Sequence, residues 1–318
     1  METLIFFVKN TKNILIDLPA PLVHGITSIP KVNAGEVRNT GIELSLLWDD
    51  KIGNVHYFIG GNFAYVKNKV TKFRGDVSAI NGTNMILEGQ PINIQYVMKV
   101  DRLVQTDEDL AYVKSLADKN PNYYRVYARP EKGDFLYADT NGDGDLTADD
   151  RVKIGNGTNP TSVYGANFGV SWNGFDFSCL LQGVGGLIQY WNGNDAARFV
   201  PWVRRGSLLN KTITDGRWYE GRPDKATYPR LLVNGDYKNN QPSDFWLEDK
   251  SYLKIKNIQL GYTIPKAITQ KWLLQTCRIY ASIDNALTFT KYRGLDPEVN
   301  GTNYPTFRMT TVGINLTF

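Results

Sequence analysis

Histidine and cysteine are nearly absent from this sequence, two of each in 318 residues. Cys179 and Cys277 are too few for a disulfide framework or a four-ligand zinc site; they read as two buried thiols, with a single disulfide as the alternative. His24 and His56 stand far apart, with no metal-ligand spacing. The nucleophile elbow, the phosphate-binding glycine loop and the HExxH helix are missing too, so nothing argues for an enzyme. Asp296 and Glu298 resemble a glycosidase carboxylate pair only superficially, because they sit in the turn GLDPE. No run of about 18 apolar residues occurs, which excludes a membrane-spanning helix. LIFFV, near the start, is too short for the apolar core of a secretory leader, and no small-residue cleavage site follows it. The expectation is a chain without a signal peptide. Long basic runs are also lacking beyond the pair Arg204–Arg205, and a net charge of +4 is mild. Nucleic acid is therefore not an expected partner.

What the sequence has is aromatic residues and glycine: 18 Tyr, 14 Phe, 7 Trp and 29 Gly, a mixture that favours strands and turns. Several stretches alternate with period two. In GIELSLLW, Ile42, Leu44, Leu46 and Trp48 share one face, with Glu43, Ser45 and Leu47 opposite. In VYGANFGVSW, Tyr164, Ala166, Phe168, Val170 and Trp172 oppose Gly165, Asn167, Gly169 and Ser171. Asn173–Gly174 then predicts a two-residue hairpin into FDFSCLLQ. SYLKIKNIQLGYTIP changes phase midway, which predicts a β-bulge near Lys256–Asn257. Roughly nine such strands are legible, most close to the length of about ten residues that a tilted membrane strand needs. Long polar segments separate them, the largest over about 105–162 and 187–248, and segments of that length usually carry function. One helix is predicted, over 107–119, capped by Thr106 or Asp107.

The faces opposite the apolar ones carry Gly, Asn, Ser and Thr rather than the Lys and Glu of a water-exposed sandwich. Trp48, Tyr65, Tyr164, Trp172 and Phe318 fall near strand ends, where aromatic residues mark a membrane interface. The reading is all-β: a partial transmembrane antiparallel β-barrel with long extracellular loops. TVGINLTF closes the chain on a strictly alternating strand. Its Gly313, Leu316 and Phe318 fit a terminal-strand signal read by outer-membrane assembly machinery. The alternative is a soluble, calcium-stabilised, carbohydrate-binding β-sandwich.

DTNGDGDLTADD, residues 139–150, reads as a calcium loop. Oxygen ligands are needed at positions 1, 3, 5, 7, 9 and 12, with Gly at 6. Asp139, Asn141, Asp143, the Asp145 carbonyl, Thr147 and Asp150 fill those places, and Gly144 falls at position 6. Asp150 is a shorter arm than the usual Glu. The expected ion is Ca2+ in a structural role, and the competing reading is an Asp/Gly-rich turn without metal.

Taken together, these stretches resemble the SusC/RagA-like TonB-dependent outer-membrane transporters of Bacteroidota. NAGEVRNTGIEL, DTNGDGDLTADDRVKIGNGTNP, YGANFGVSWNGFDFSCLLQGVGG, WLEDKSYLKIKNIQLGYTIP, RIYASIDNALTFTKYRGLDPE and the final strand carry the resemblance in order, over nearly the whole chain. It implies that residues 1–318 are the C-terminal part of a barrel of about 22 strands, with the plug domain and signal peptide absent. It further implies outer-membrane lipid around the wall, a SusD-like surface lipoprotein over the loops, TonB coupling through the missing N-terminal part, and an oligosaccharide or peptide ligand. Trp191, Trp202, Trp218 and Tyr219, with Arg198, Arg204 and Arg217, lie in the second long loop. They suit either ligand contact or loop packing, so no substrate residue is singled out.

Overall fold

The computed structural model describes residues 2–16, 32–73, 79–119, 130–190, 211–231, 239, 241–299 and 304–318. Its strands, in chain order, begin with β1 (Glu2–Ile16), β2 (Val32–Ile52) and β3 (Val55–Phe73). Six short strands follow: β4 (Ala79–Asn81), β5 (Asn84–Ile86), β6 (Ile94–Val97), β7 (Val100–Leu103), β8 (Phe135–Tyr137) and β9 (Val152–Ile154). Next come β10 (Ser162–Trp172), β11 (Phe175–Gly185), β12 (Ile188–Tyr190), β13 (Leu247–Asp249), β14 (Tyr252–Thr263), β15 (Thr276–Thr290) and β16 (Met309–Thr317). The eight long ones form one antiparallel sheet in the order β1-β2-β3-β10-β11-β14-β15-β16. Among the described residues that is one long strand fewer than the roughly nine the alternation suggests. Among the described residues the sheet is not closed, so it is a partial barrel with edges at β1 and β16.

Register sorts the side chains into two faces, because residues directly opposite each other in an antiparallel pair point the same way. One row reads Trp48, Ile59, Phe168, Cys179, Ile258 and Ile283. The next reads Leu47, Gly60, Asn167, Leu180, Asn257 and Asp284. Rows alternate in this way along the sheet. A sandwich would bury the apolar face under a second sheet. Here Trp48, Ile59, Phe168, Val170, Trp172, Leu260 and Val312 remain exposed on it. Among the described residues no helix is long and apolar enough to cross a membrane, which says nothing of a barrel.

Local chemistry explains the details. Asn173 and Gly174 take φ values of +48° and +86°, as a tight hairpin turn requires. The predicted bulge is present: Lys256 has no partner on β11 and lies opposite Asn285 and Ala286 of β15. Asn285 absorbs the irregularity at φ +51°. Gly313 faces Tyr280, and a Cβ there would come within 2.5 Å of the phenol ring. So this residue of the terminal-strand pattern also makes room for an aromatic ring across the strand pair. The predicted helix is found as α1 (Asp107–Lys119), and the Thr106 hydroxyl accepts the Asp109 N–H at 3.0 Å.

The main hydrophobic core lies not in the sheet but in the loops. Met98, Val104, Val113, Leu116, Phe135, Tyr137, Leu146, Ile213, Tyr228, Trp246 and Tyr292 form one buried cluster. These residues come from all three described long connections, so the loops fold together as a unit. Asp134 is its polar centre. Arg230 Nε donates to Asp134 Oδ1 at 2.6 Å, and Asn239 Nδ2 donates to the same atom at 3.1 Å. Trp246 is 1% exposed, and its indole N–H reaches the Asn239 carbonyl at 2.9 Å. Trp246→Ala is expected to destabilise this unit by about 3–5 kcal/mol. The check is amide exchange: protection falls across residues 98–104 and 133–137, while β10 and β11 keep theirs.

Candidate functional site

The polar face of the sheet is the first component. Asn62, Gly165, Gln182, Lys254 and Thr288 form one of its rows, and Ser178, Gln259, Ser282 and Thr311 lie in another. These side chains are small or uncharged, apart from Lys254. Lys254 is 1% exposed, and its ammonium needs partners, because an unpaired buried charge is costly. Its Nζ donates to Asp296 Oδ1 at 2.8 Å, Glu298 Oε2 at 2.7 Å and Thr306 Oγ1 at 3.0 Å. Lys256, at the bulge, reaches both Glu298 oxygens at 3.0 and 2.9 Å, and the Tyr252 hydroxyl donates to Glu298 Oε1 at 3.0 Å.

Asp296 also accepts the backbone N–H groups of Glu298 and Thr306. Burial alone would raise its carboxyl. The hydrogen bonds from Lys254 and Thr306 outweigh burial and hold it well below the usual carboxylate range. The same balance, burial against Lys254, Lys256 and Tyr252, lowers Glu298. The turn GLDPE therefore ties the β15–β16 connection to the polar wall, the structural role its sequence context implies. A second tie runs through Arg293, whose Nε donates to Glu248 at 2.6 Å and whose Nη1 donates to the Tyr228 hydroxyl at 2.6 Å. Alternation of strand residues could reveal Lys254 as polar-facing, but nothing local names its partners some forty residues away.

The Asp/Gly-rich loop folds as an ordered turn. Asp139 accepts the N–H groups of Gly142 at 2.6 Å and Gly144 at 2.8 Å, and these bonds lower its carboxyl pKa. Asn141 and Asp143 accept the N–H groups two residues on, at 2.9 and 2.8 Å. Asp150 is fully buried. It accepts Thr140 N–H at 2.8 Å and Thr147 N–H at 2.7 Å, and Thr147 in turn caps the short 3-10 turn Ala148–Asp150. Gly144 takes φ +79°, and Leu146 is buried in the loop core. Asp145 Oδ1 accepts Leu146 N–H at 3.0 Å. Among the described residues no group of three or more His, Cys, Asp or Glu side chains is gathered as for a metal ion.

Of the loop aromatics, Trp218 packs against Gly133, where a Cβ would come within 2.5 Å of the indole. Tyr219 stays exposed, with the guanidinium groups of Arg217 and Arg222 at 5.2 and 5.6 Å from its ring centre. Trp191, Trp202, Arg198, Arg204 and Arg205 lie outside the described residues, as does His24. His56 pairs with Asp49 at 3.0 Å beside the β2–β3 turn, away from any metal cluster among the described residues. Cys179 and Cys277 are buried free thiols.

A sheet with one uncovered apolar face and one small-polar face, with short turns at one end and long folded loops at the other, is a section of a transmembrane β-barrel wall. The comparisons with known proteins narrow that class. No protein-family model matches the chain. The TonB-dependent receptor P3 of Formosa agariphila is 28% identical over 98% of this chain and 32% of its own length. The TonB-dependent receptor SusC of Bacteroides thetaiotaomicron is 22% identical, over 98% and 29%. A solved structure described as the RagAB peptide transporter superposes with a TM-score of 0.75 at 24% identity, covering 100% of this chain and 33% of that one. The chain is a relative of the SusC/RagA-like TonB-dependent receptors, as its motifs imply. It spans about a third of the length of the curated relatives it matches. Those relatives are named TonB-dependent receptors, and the superposed structure is described as a transporter.

The Lys254–Asp296 tie has a defined pH window. A carboxyl held low stabilises the folded state above the ordinary Asp range, and that contribution is lost only as pH falls through the depressed value. The β15–β16 tie is therefore expected to persist at pH 5 and to loosen only below about pH 4. Asp296→Asn should release it at neutral pH. Amide exchange of residues 294–298 reads both outcomes.

Proposed function

We propose that this chain is the C-terminal part of the barrel of a TonB-dependent importer, carrying an oligosaccharide or its fragments across the outer membrane. The observation that carries this reading is the division of one sheet into an uncovered apolar face and a small-polar face, on a chain whose relatives are receptors of this class. The apolar face suits lipid, and the polar face lines a path for a hydroxyl-rich ligand. The loop unit held above that path is the natural seat for a SusD-like lipoprotein. The plug and the TonB-contact segment belong to the other two thirds of the length seen in the relatives. Peptide is the competing ligand class, because three solved structures that share the fold are described as a peptide transporter or importer.

The test uses the intact receptor that contains this chain. Cells carrying it should import an oligosaccharide pool in a TonB-dependent way, and the receptor should co-purify with a surface lipoprotein. Uptake of peptides with no uptake of saccharides would move the ligand class to peptide. Extraction of the receptor from cells without detergent would sink the barrel reading altogether.

For the loop 139–150 we propose structural Ca2+ binding by Asp139, Asn141, Asp143, the Asp145 carbonyl, Thr147 and Asp150. Support comes from an oxygen-only donor set suited to a hard cation, and from Gly144 turning the chain at the sixth position. The rival is a metal-free turn whose carboxylates serve its own backbone. Terbium luminescence and calorimetric titration of the intact receptor separate the two. Saturable calcium binding that Asp139→Ala abolishes is expected. Heat-independent titrations and a melting temperature indifferent to chelator would leave the metal-free turn.

A further inference from the structure

Three strand pairs are joined at the short-turn end of the sheet, and one junction is unlike the others. Gly53–Asn54 and Asn173–Gly174 are two-residue turns. Between β14 and β15 the chain instead runs from Ile264 to Gln275, folding as a helical turn, Lys266–Thr269, that passes into a 3-10 turn, Gln270–Trp272. Closing a hairpin needs none of this. The segment is nonetheless firmly placed. Thr269 is fully buried, Leu274 N–H reaches the Thr269 carbonyl at 3.1 Å, Ile264 N–H reaches the Cys277 carbonyl at 2.9 Å, and Gln275 N–H reaches the Thr317 carbonyl at 2.8 Å.

Its large apolar side chains point away from the protein. Ile268 is exposed, Trp272 is 56% exposed and Leu273 is 88% exposed. Leu273 also takes φ +56°, a left-handed conformation that costs a branched residue about 1–2 kcal/mol. A fold gains nothing in water from an ordered turn that presents Trp and Leu outward from a strained position. The charge is one-sided as well. Lys266 and Lys271 flank the apolar residues, and no Asp or Glu occurs between Asp249 and Asp284. The turn is also continuous with the apolar face. The last apolar row at this end is Val55, Trp172, Phe175, Tyr262, Ile279 and Ile314, with the Phe175 and Tyr262 rings 4.5 Å apart.

We propose that the Lys266–Leu273 turn is a membrane-interface foot. Ile268, Trp272 and Leu273 enter the headgroup region of the leaflet on the short-turn side, and Lys266 and Lys271 lie against the anionic phosphates of its lipids. Trp suits a boundary that is apolar on one side and wet on the other. Lysine buries its stem and keeps its charge at the phosphate level. The foot rests on the barrel reading, and the experiment separates the two.

The intact receptor is reconstituted in phosphatidylethanolamine–phosphatidylglycerol vesicles with a nitroxide at Leu273→Cys, and separately at Phe168→Cys in the middle of the apolar face. Cys179 and Cys277 are replaced by Ala in both. Accessibility to oxygen and to a water-soluble nickel chelate reads depth. The expected result is a Phe168 label reached by oxygen and closed to nickel, and a Leu273 label at headgroup depth with partial loss of nickel access. Lys266→Gln with Lys271→Gln, or vesicles lacking phosphatidylglycerol, should raise nickel access at Leu273 alone. A lipid-exposed Phe168 label beside a Leu273 label fully open to nickel overturns the foot and leaves the barrel. A Leu273 label closed to both reagents means that protein covers the turn, and also overturns it. A Phe168 label open to nickel overturns the barrel itself.

Discussion

Backbone hydrogen bonding between neighbouring strands is the constraint on which the rest of this molecule depends. A strand that turns an apolar face to hydrocarbon has no water to satisfy its N–H and C=O groups, and each group left unmet costs several kcal/mol. The eight-stranded sheet meets this by near-continuous antiparallel register from Glu2 to Thr317. Register then dictates chemistry. A slip of one residue would bring Gly60, Asn167 and Asp284 to the apolar side and take Ile59, Phe168 and Ile283 off it. The same constraint makes β1 and β16 the weak points, since each pairs on one side only among the described residues.

Because lipid rather than protein covers one side of such a wall, the wall needs little hydrophobic core of its own. The larger buried apolar cluster forms where water is present, in the loops, and a smaller one, Val37, Val70 and Phe73, sits at the loop end of β2 and β3. There, burial of Trp246, Phe135 and Val104 is driven in the ordinary way, and Asp134, Arg230 and Asn239 satisfy the polar groups that burial would strand. The molecule thus has two separately stabilised parts. The sheet is held by backbone pairing and the loop unit by side-chain packing.

What could be read from the sequence follows from the same division. Alternation, the Asn173–Gly174 turn, the bulge at Lys256 and the helix over 107–119 are local, and each is legible in a window of a few residues. The loop core is not, because Met98, Phe135, Ile213, Tyr228 and Tyr292 meet only through tertiary contacts and share no period. Lys254 shows its face by position but not its partners. The turn Lys266–Leu273 escapes because it is only about two helical turns long and mixes Lys, Gln and Trp, so no periodicity marks it. For the candidate site the Asp/Gly loop was plain from spacing, whereas Tyr219 and Trp218 look equivalent in sequence. Only the fold separates them, one packed on Gly133 and the other open.

The position of the Lys254 network bears on how the two parts work together. Lys254, Tyr252 and Thr288 belong to the polar face, at the end of the sheet from which the long loops rise. The β15–β16 connection is therefore fastened to the polar face, not to the apolar one. Its tie consists of a buried ammonium shared by two carboxylates, and removing one partner of such a group typically costs about 3–5 kcal/mol. Ordinary thermal motion does not break a tie of that size. The Tyr219 ring, by contrast, is exposed and is met only by the guanidinium groups of Arg217 and Arg222 at 5.2 and 5.6 Å among its described ring contacts. The physical hierarchy is a wall held by backbone pairing, a loop pinned to its polar face by the Lys254 network, and a more exposed segment around Tyr219.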